Sequence, residues 1–501
     1  MSKSLKNIKR LIVKQIKKEY PNFQGLSKKH KKEVIESIWG EVRNNVDTQK
    51  GEAPSKYELL NIEAIPADVL TIKQMQDLMQ KKRVKLFRKF SHKKLDFIKD
   101  AELKDIREMV DWELINDLLK NRNYTPGKRE ILPVQFFQAE LLKSFKYPEI
   151  SYRKYDVREL NNSERKENRA FIGLGAHQQI THSQLSQFRS SLTFTQLLNV
   201  MVYFICLFLE KKPLSSSTFY AIDSTELAAK ISPYPLFKTN IAGGWVRIYQ
   251  DIDADVGTRR NKRDKSKFVV GYRLHTLTVI DVSSEQAFPL LSILAPANHH
   301  DSNFLKILVE FGKKIGLDLN IIAGDQAYGE PGEVDEIQKQ HNVTVLNAPK
   351  EKTSLPANVD EKSYAVRMNT NCPIDMDYCG KDEEYGHEFH CAAEFGECPF
   401  AGSCRKVRFI GLDSGAFGQI PYFYKEVQRI IAMRKVAERP FNLIKHRDGL
   451  EPLRTRGHHN SSVVATMANI TTLLIEIAGY RKKKKKAIDR QLTFDFISQA
   501  A

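Results

Sequence analysis

The sequence predicts an α/β fold: a mixed sheet in the order β-β-β-α-β-α-β, with a helical N-terminal region before it and a small cysteine-containing insertion within it. Three observations predict it. Between Thr218 and Asn347, short apolar runs rich in β-branched and aromatic residues alternate with stretches of helical period. The acids Asp223 and Asp325 close the first and fourth of those runs. Further on, Arg434, Glu438 and Lys445 recur at separations of four and then seven; on an ideal helix at about 100° per residue they point within roughly 40° of one another.

At 501 residues the chain is too long for one ordinary core, and about two to four domains are expected. A net charge of +18 beside an apolar content of 41% describes a folded basic protein rather than a disordered basic tail. Its natural partner is a polyanion, DNA or RNA before others. The opening thirty residues alternate Lys with Leu5, Ile8, Leu11, Ile12 and Ile16, a basic amphipathic helix without the apolar stretch of a signal peptide. Leu197 to Leu209 is broken by Asn199 and ends at Glu210-Lys-Lys, too short for a bilayer and suited to a buried helix. No membrane partner is expected. Six cysteines and no export signal argue against disulfides and for a reducing, cytoplasmic setting.

Residues 1–130 read as a helical N-terminal region, with helices at Ser27 to Gly40 and Ile72 to Phe90 around a polar stretch at Asn45 to Lys56. They serve either as a solvated helical domain or as a module that binds DNA ends or dimerises. Residues 131–212 form a second helical region, in which Arg165 to Gly175 followed by Ile180 to Arg189 reads either as a helix-turn-helix or as ordinary packed helices.

The first part of the α/β core spans 213–350. Phe219-Tyr-Ala-Ile-Asp223 is its first strand, and Lys267 to Ile280 and Ala287 to Ala295, divided by polar Asp281 to Gln286, are an antiparallel hairpin. Asp301 to Ile315 has helical period, with Asp301 or Ser302 as its cap and Gly316 just past its end. Leu319 to Asp325 is the fourth strand, Pro331 to His341 a helix and Asn342 to Asn347 the fifth strand. Three antiparallel strands followed by right-handed crossovers set the first and fourth strands side by side in an RNase H-like arrangement. Asp223 would then lie beside Asp325. Glu438 arrives after the insertion at 351–412, on a helix in the second part of the core at 413–480, and a basic tail follows at 481–501.

Carboxylates that converge repel one another unless a cation lies between them, and oxygen-only ligands favour Mg²⁺ or Mn²⁺ over zinc. In a two-metal site, one ion activates water or a 3′-hydroxyl while the other stabilises the leaving oxygen of a phosphoryl displacement. Asp223 would bridge both ions, Asp325 would bind one and Glu438 the other. Arg434 and Lys445 would hold phosphate oxygens, Arg as a fork and Lys as a point charge.

Tyr220-Ala-Ile-Asp223-Ser-Thr, Gly271-Tyr-Arg-Leu-His275, Pro296-Ala-Asn-His-His-Asp-Ser302, Gly324-Asp-Gln-Ala-Tyr328 and Arg434-x3-Glu438-x6-Lys445 resemble successive blocks of bacterial insertion-sequence transposases of the DDE type. The resemblance covers roughly residues 165 to 480. It implies an enzyme that cuts a mobile element from its DNA ends and joins the 3′-hydroxyls to target DNA, with divalent metal and no covalent enzyme intermediate. It also implies a homodimer on the DNA and a place at the bacterial nucleoid. Tyr328 matches the aromatic of its block and would pack beside a phosphate or base. The chain departs from the pattern at Ile431, where the family often has Tyr, and at Pro440, which interrupts the helix after Glu438. A nuclease of the same fold and a domesticated DNA-binding protein are the alternatives; the presence of all three acids disfavours the second.

Five of the six cysteines fall between Cys372 and Cys404. Cys379, Cys391, Cys398 and Cys404 are the best set for a structural zinc, against free thiols in a small packed insertion. Arg260, Lys262, Arg263 and Lys265 belong to a basic run before the second strand, where DNA contact is favoured over a solvated face. For the run Arg481 to Lys486 the two readings stand even. Asp301, in His299-His300-Asp301, is expected to cap the following helix rather than act on a substrate.

Overall fold

In the computed structural model, residues 2–45, 63–86, 97–120, 131–241, 244–259, 267–348, 425–447 and 449–500 are described, together with most of 355–411 and Tyr422. The α/β core is organised on a six-stranded mixed sheet. Strand β1 spans Thr218–Ala228. A separate hairpin follows, β2 at Phe237–Ile241 and β3 at Gly244–Ile248. Strands β4 (Asp255–Arg259), β5 (Lys267–Asp281), β6 (Gln286–Pro296), β7 (Ile321–Gly324) and β8 (Thr344–Asn347) complete the main sheet.

Strand β5 is the spine. One edge pairs antiparallel with β1, from Gly271 opposite Ala228 to Asp281 opposite Thr218. Its other edge is shared: β4 takes Lys267 to Gly271 and β6 takes Tyr272 to Asp281, both antiparallel. Beyond β1 the sheet turns parallel, through β7 and then β8. The Leu305–Ile315 and Pro331–His341 helices make the two crossovers. Gly316, at φ +90°, ends the first in the left-handed conformation that glycine adopts without strain.

The hairpin turn after β5 is held by the Asp281 carboxylate. It accepts from the N–H groups of Ser215, Ser283 and Ser284 and from the Ser283 hydroxyl. These bonds favour the anion over the cost of burial and draw its pKa down to about 2.

The apolar Phe194–Lys211 helix is buried from Leu197 to Phe208, and Phe208 meets Phe288 of β6 at 4.9 Å between ring centroids. It and the start of the long His458–Ala500 helix are apolar and long enough to cross a membrane; here they pack on each other and on β6. One apolar cluster runs from Val69 through these helices and the sheet to Ile477. The helices from Ile72 onward therefore share a core with the sheet rather than forming a domain of their own.

The first two helices, Ser2–Glu19 and Lys28–Asn45, lie elsewhere. Ile8, Ile12, Ile16 and Ile38 bury themselves against Val246 and Ile248 of the β2–β3 hairpin. Lys9 pairs with Asp255 and Lys17 with Asp253, each at 2.6 Å. The insertion carries its own sheet, with β10 (Gly386–His390) between β9 (Asp377–Asp382) and β11 (Val407–Ile410). The run Arg481 to Lys486 continues the last helix, which extends to Ala500.

Of the two readings of residues 165–189, the structure favours ordinary packed helices. The Lys166–Ile172 and His182–Ser191 helices are joined by Gly173 to Thr181, longer than the turn of about three to four residues of a helix-turn-helix. The second helix also buries Leu185, Phe188 and Arg189, and Arg189 is ion-paired with Glu140 inside the protein. The segment from Lys425 to Arg447 is not one helix. It passes from α-helix (Lys425–Met433) to a 3-10 turn (Arg434–Ala437), a second short α-helix (Glu438–Asn442) and a π-turn (Leu443–Arg447).

Candidate active site

Asp223 and Asp325 come together through strand register. Strands β1 and β7 are parallel, with Ala221 beside Ala323, and each aspartate is two residues further along its own chain. Neighbouring strands lie about 4.8 Å apart, so the two acids stand at matching positions at the same end of the pair. Asp223 does not close its strand. It lies inside β1, opposite Thr276, and the strand continues to Ala228. Asp325 leaves β7 and caps the 3-10 turn Gln326–Tyr328, its Oδ1 accepting the Ala327 N–H at 2.8 Å.

Glu438 is brought in by packing. Ala437 is fully buried with Phe219 and Ala221 of β1, Ile280 of β5 and Ala323 of β7. The small side chains of Ala221, Ala323 and Ala437 let the Arg434–Ala437 turn approach the sheet closely. Arg434 then reaches Asp223, Nη1 donating to Oδ2 at 3.0 Å, while the Ser224 N–H donates to Oδ1 at 2.8 Å. Glu438 follows at the exposed start of the next helix.

Burial is the largest influence on the Asp223 carboxyl and raises its pKa from an ordinary 3.8 to about 6. Arg434 and the Ser224 N–H oppose the rise, while the charges of Asp325 and Glu438 add to it. The three acids therefore share one electrostatic field. In kind they suit a hard divalent cation, being carboxylates without a soft ligand among them. In arrangement they do not form one coordination sphere: no three His, Cys, Asp or Glu side chains are grouped to hold an ion among the described residues. Arg434 is the cation that Asp223 holds, rather than a group free for a phosphate.

Tyr328 is not placed to touch DNA. It is 1% exposed, and its hydroxyl is engaged by His275 Nδ1 at 3.1 Å. Lys445 is also turned away. It is buried in the π-turn and paired with Glu451 at 3.1 Å, because the changes of helix type after Arg434 undo the ideal-helix phase. Asp301 caps nothing; the cap is His300, whose Nδ1 accepts the Ser302 N–H. Asp301 Oδ1 instead accepts from Ser224 Oγ at 3.0 Å and Arg273 Nη1 at 2.8 Å. Arg260, Lys262, Arg263 and Lys265 lie outside the described residues, in the connection from β4 to β5.

The cysteines of the insertion are free thiols in different settings. Cys372 and Cys398 are buried, Cys391 and Cys404 half-buried and Cys379 exposed. Cys379, Cys391, Cys398 and Cys404 do not meet the grouping a zinc would need among the described residues.

Sequence reasoning missed the polar network behind Asp223. On β1 and β5 the register pairs Ser224 with His275 and Glu226 with Arg273, and Arg273 Nη2 donates to Glu226 Oε1 at 3.0 Å. The available signal was the alternation itself: Arg273 and His275 are ionisable residues two apart in the middle of a strand whose other charged residues, Lys267 and Asp281, stand at its ends.

No protein-family model and no curated protein matches the sequence. Among solved structures, the chain is similar to a piggyBac transposase in a synaptic complex with hairpin DNA, at 12% identity over 77% of this chain and 80% of that one, with a TM-score of 0.24. A likeness that slight leaves any assignment to the chain's own geometry.

Proposed function

We propose that the chain is a DNA transposase of the DDE type, built on an RNase H-like core, that cleaves the ends of an insertion sequence and transfers them to target DNA. The observation that carries this reading is the placement of Asp223 and Asp325 at matching positions of parallel neighbours β1 and β7, with the Arg434–Glu438 turn packed across both through Ala437. The sheet order β6-β5-β1-β7-β8, antiparallel for its first three strands and parallel for its last two, supports the RNase H-like assignment.

In this reading Asp223, Asp325 and Glu438 would hold Mg²⁺ or Mn²⁺ once drawn together around it, and the ion would supply Lewis acidity at a phosphodiester. The chain's own contribution is placement. Asp223 is fixed by the Ser224 N–H and by Arg434, and Asp325 by the Ala327 N–H. Double-stranded DNA is the substrate, and the basic connection through Arg260, Lys262, Arg263 and Lys265 adds phosphate contacts. Joining two ends calls for a homodimer, working at the nucleoid in the bacterial cytoplasm.

The test incubates the full chain with DNA carrying the ends of its encoding element and Mg²⁺ or Mn²⁺, beside Asp223→Asn, Asp325→Asn and Glu438→Gln. Each substitution is expected to reduce strand cleavage by about a hundredfold or more and to leave DNA binding in place. Unchanged cleavage in any one removes that residue from the site. A wild-type chain that binds such DNA and never cuts it would point to the domesticated binding protein.

A further inference from the structure

Strands β2 and β3 form a two-stranded ribbon whose faces differ in kind. Phe237, Ile241, Val246 and Ile248 join Ile8, Ile12 and Ile16 of the first helix in one apolar cluster. Successive side chains of a strand alternate between faces, so Lys238, Asn240, Trp245 and Arg247 share the other one. Lys238 and Asn240 are exposed, Trp245 is 49% exposed and Arg247 is half-buried.

On that face the register sets Lys238 directly opposite Arg247, and Asn240 opposite Trp245. Side chains paired in this way have Cβ atoms about 5 Å apart, and like charges there repel. Neither strand has an acid to offset them, the two being Phe237-Lys-Thr-Asn-Ile241 and Gly244-Trp-Val-Arg-Ile248. Lys238 instead turns its ammonium over the Trp245 ring, 4.1 Å from the centroid, which leaves the charge in place. A slip of register would relieve the repulsion only by turning the apolar set away from the first helix.

The cationic face continues past the edge of β3. Trp245 and Arg247 border a cleft of about 820 Å³ together with Lys14 of the first helix. Lys9 and Lys17 also line it and are held by Asp255 and Asp253. Lys14 and Arg247 have no acidic partner among the described residues. His299 borders the same cleft and stands just before His300 and Asp301, the acceptor of Ser224 Oγ.

We propose that the solvent face of the β2–β3 ribbon is a docking surface for duplex DNA, with Lys238, Arg247 and Lys14 on phosphates and Trp245 and Asn240 against sugars and base edges. The charge pattern by itself asks for a polyanion; the choice of DNA rests on the transposase reading. A two-stranded ribbon fits the major groove of B-DNA, which is about 12 Å wide. A single strand would call for aromatic platforms in succession, and this face has one.

The experiment titrates the full chain against a short fluorescent duplex of arbitrary sequence, without divalent metal, over a series of salt concentrations. Each phosphate contact contributes about 0.9 to the slope of log affinity against log salt. Lys238→Gln and Arg247→Gln should each lower that slope by about one unit, and the double variant by about two. Arg247→Lys keeps the charge and should keep the slope. Trp245→Ala should weaken binding alike at every salt concentration. Lys120→Ala, which removes an exposed cation paired with Asp117 elsewhere on the protein, should change neither slope nor affinity.

Slopes unchanged in the two Gln variants overturn the proposal. A slope lowered as much by Lys120→Ala does so too, because it shows diffuse attraction in place of a surface. Affinity lost equally in Arg247→Lys and Arg247→Gln with no change of slope marks damage to the fold and has the same consequence. Polyglutamate bound as tightly as the duplex would give the face to an acidic protein instead. If the ribbon variants behave as stated and the wild type cleaves no DNA ends, the surface stands and the transposase reading falls.

Discussion

Asp223→Asn should make the metal-free protein more stable while removing its cleavage activity. In the folded chain the carboxyl titrates near 6 instead of 3.8. Between those values the folded state binds more protons than the unfolded state, so stability falls as pH rises through that window and stays lower above it. At about 1.4 kcal/mol per unit, ionising Asp223 in place costs about 3 kcal/mol at pH 8. The amide carries no charge but presents one acceptor where the carboxylate had two, facing Arg434 and the Ser224 N–H. That mismatch offsets about 1 kcal/mol and leaves a gain of roughly 2 kcal/mol, or several degrees in Tm. The assay is a pair of thermal melts in chelator at pH 8 and pH 4.5. The advantage of the variant should be full at pH 8, shrink at pH 4.5 and reverse when Mn²⁺ is added, because an ion that binds the wild type stabilises it alone. A variant no more stable than wild type at pH 8, or equally favoured at both pH values, would refute the electrostatic account.

Lys445→Ala should lower stability by about 0.5–1 kcal/mol through loss of the pair between buried Lys445 and exposed Glu451, with DNA affinity and its salt dependence unchanged. A salt slope reduced by about one unit would give Lys445 back its phosphate role. Gly271→Ala should destabilise the sheet by about 1–3 kcal/mol or more, read as a lower melting temperature. An added Cβ would lie 2.2 Å from the Leu227 carbonyl oxygen and 2.7 Å from the Ala229 nitrogen, both backbone atoms of the paired chain. A melt indistinguishable from wild type would show that β1 and β5 can separate there.

Much of the sheet was legible because its signals are local. The β5–β6 hairpin, the Leu305–Ile315 helix with its glycine stop, β7, the Pro331–His341 helix and β8 all follow apolar period and turn residues. Where polar side chains are satisfied by distant partners, the same signals mislead. β1 reads as ending at Asp223 because Ser224, Thr225 and Glu226 are polar, yet Arg273 and Asp301 supply partners that keep the strand going. Asp301 looks like a cap for a related reason, since caps are a short-range inference and its partners lie 28 and 77 residues away in sequence. The β2–β3 hairpin was invisible for a different reason. Its buried face is completed by the first two helices, more than two hundred residues earlier, so neither segment looks half-buried alone.

The opening pattern of Arg434, Glu438 and Lys445 shows how a correct spacing can serve an altered geometry. Ala437, which no motif singles out, docks the turn on β1 and β7 and so delivers Arg434 to Asp223. The tight 3-10 turn before Glu438 and the π-turn after Asn442 then carry Lys445 to Glu451 instead. Only one of the two expected cations therefore faces the acids. That one is insufficient: with Arg434 at 3.0 Å and the Ser224 N–H in place, Asp223 still titrates near 6. A buried carboxylate with two further acids acting on it is short of positive charge, and a divalent cation supplies more of it at one point than a second lysine would. Burial raises the Asp223 pKa by more than Arg434 and the Ser224 N–H lower it, so this place favours any further positive charge brought to it.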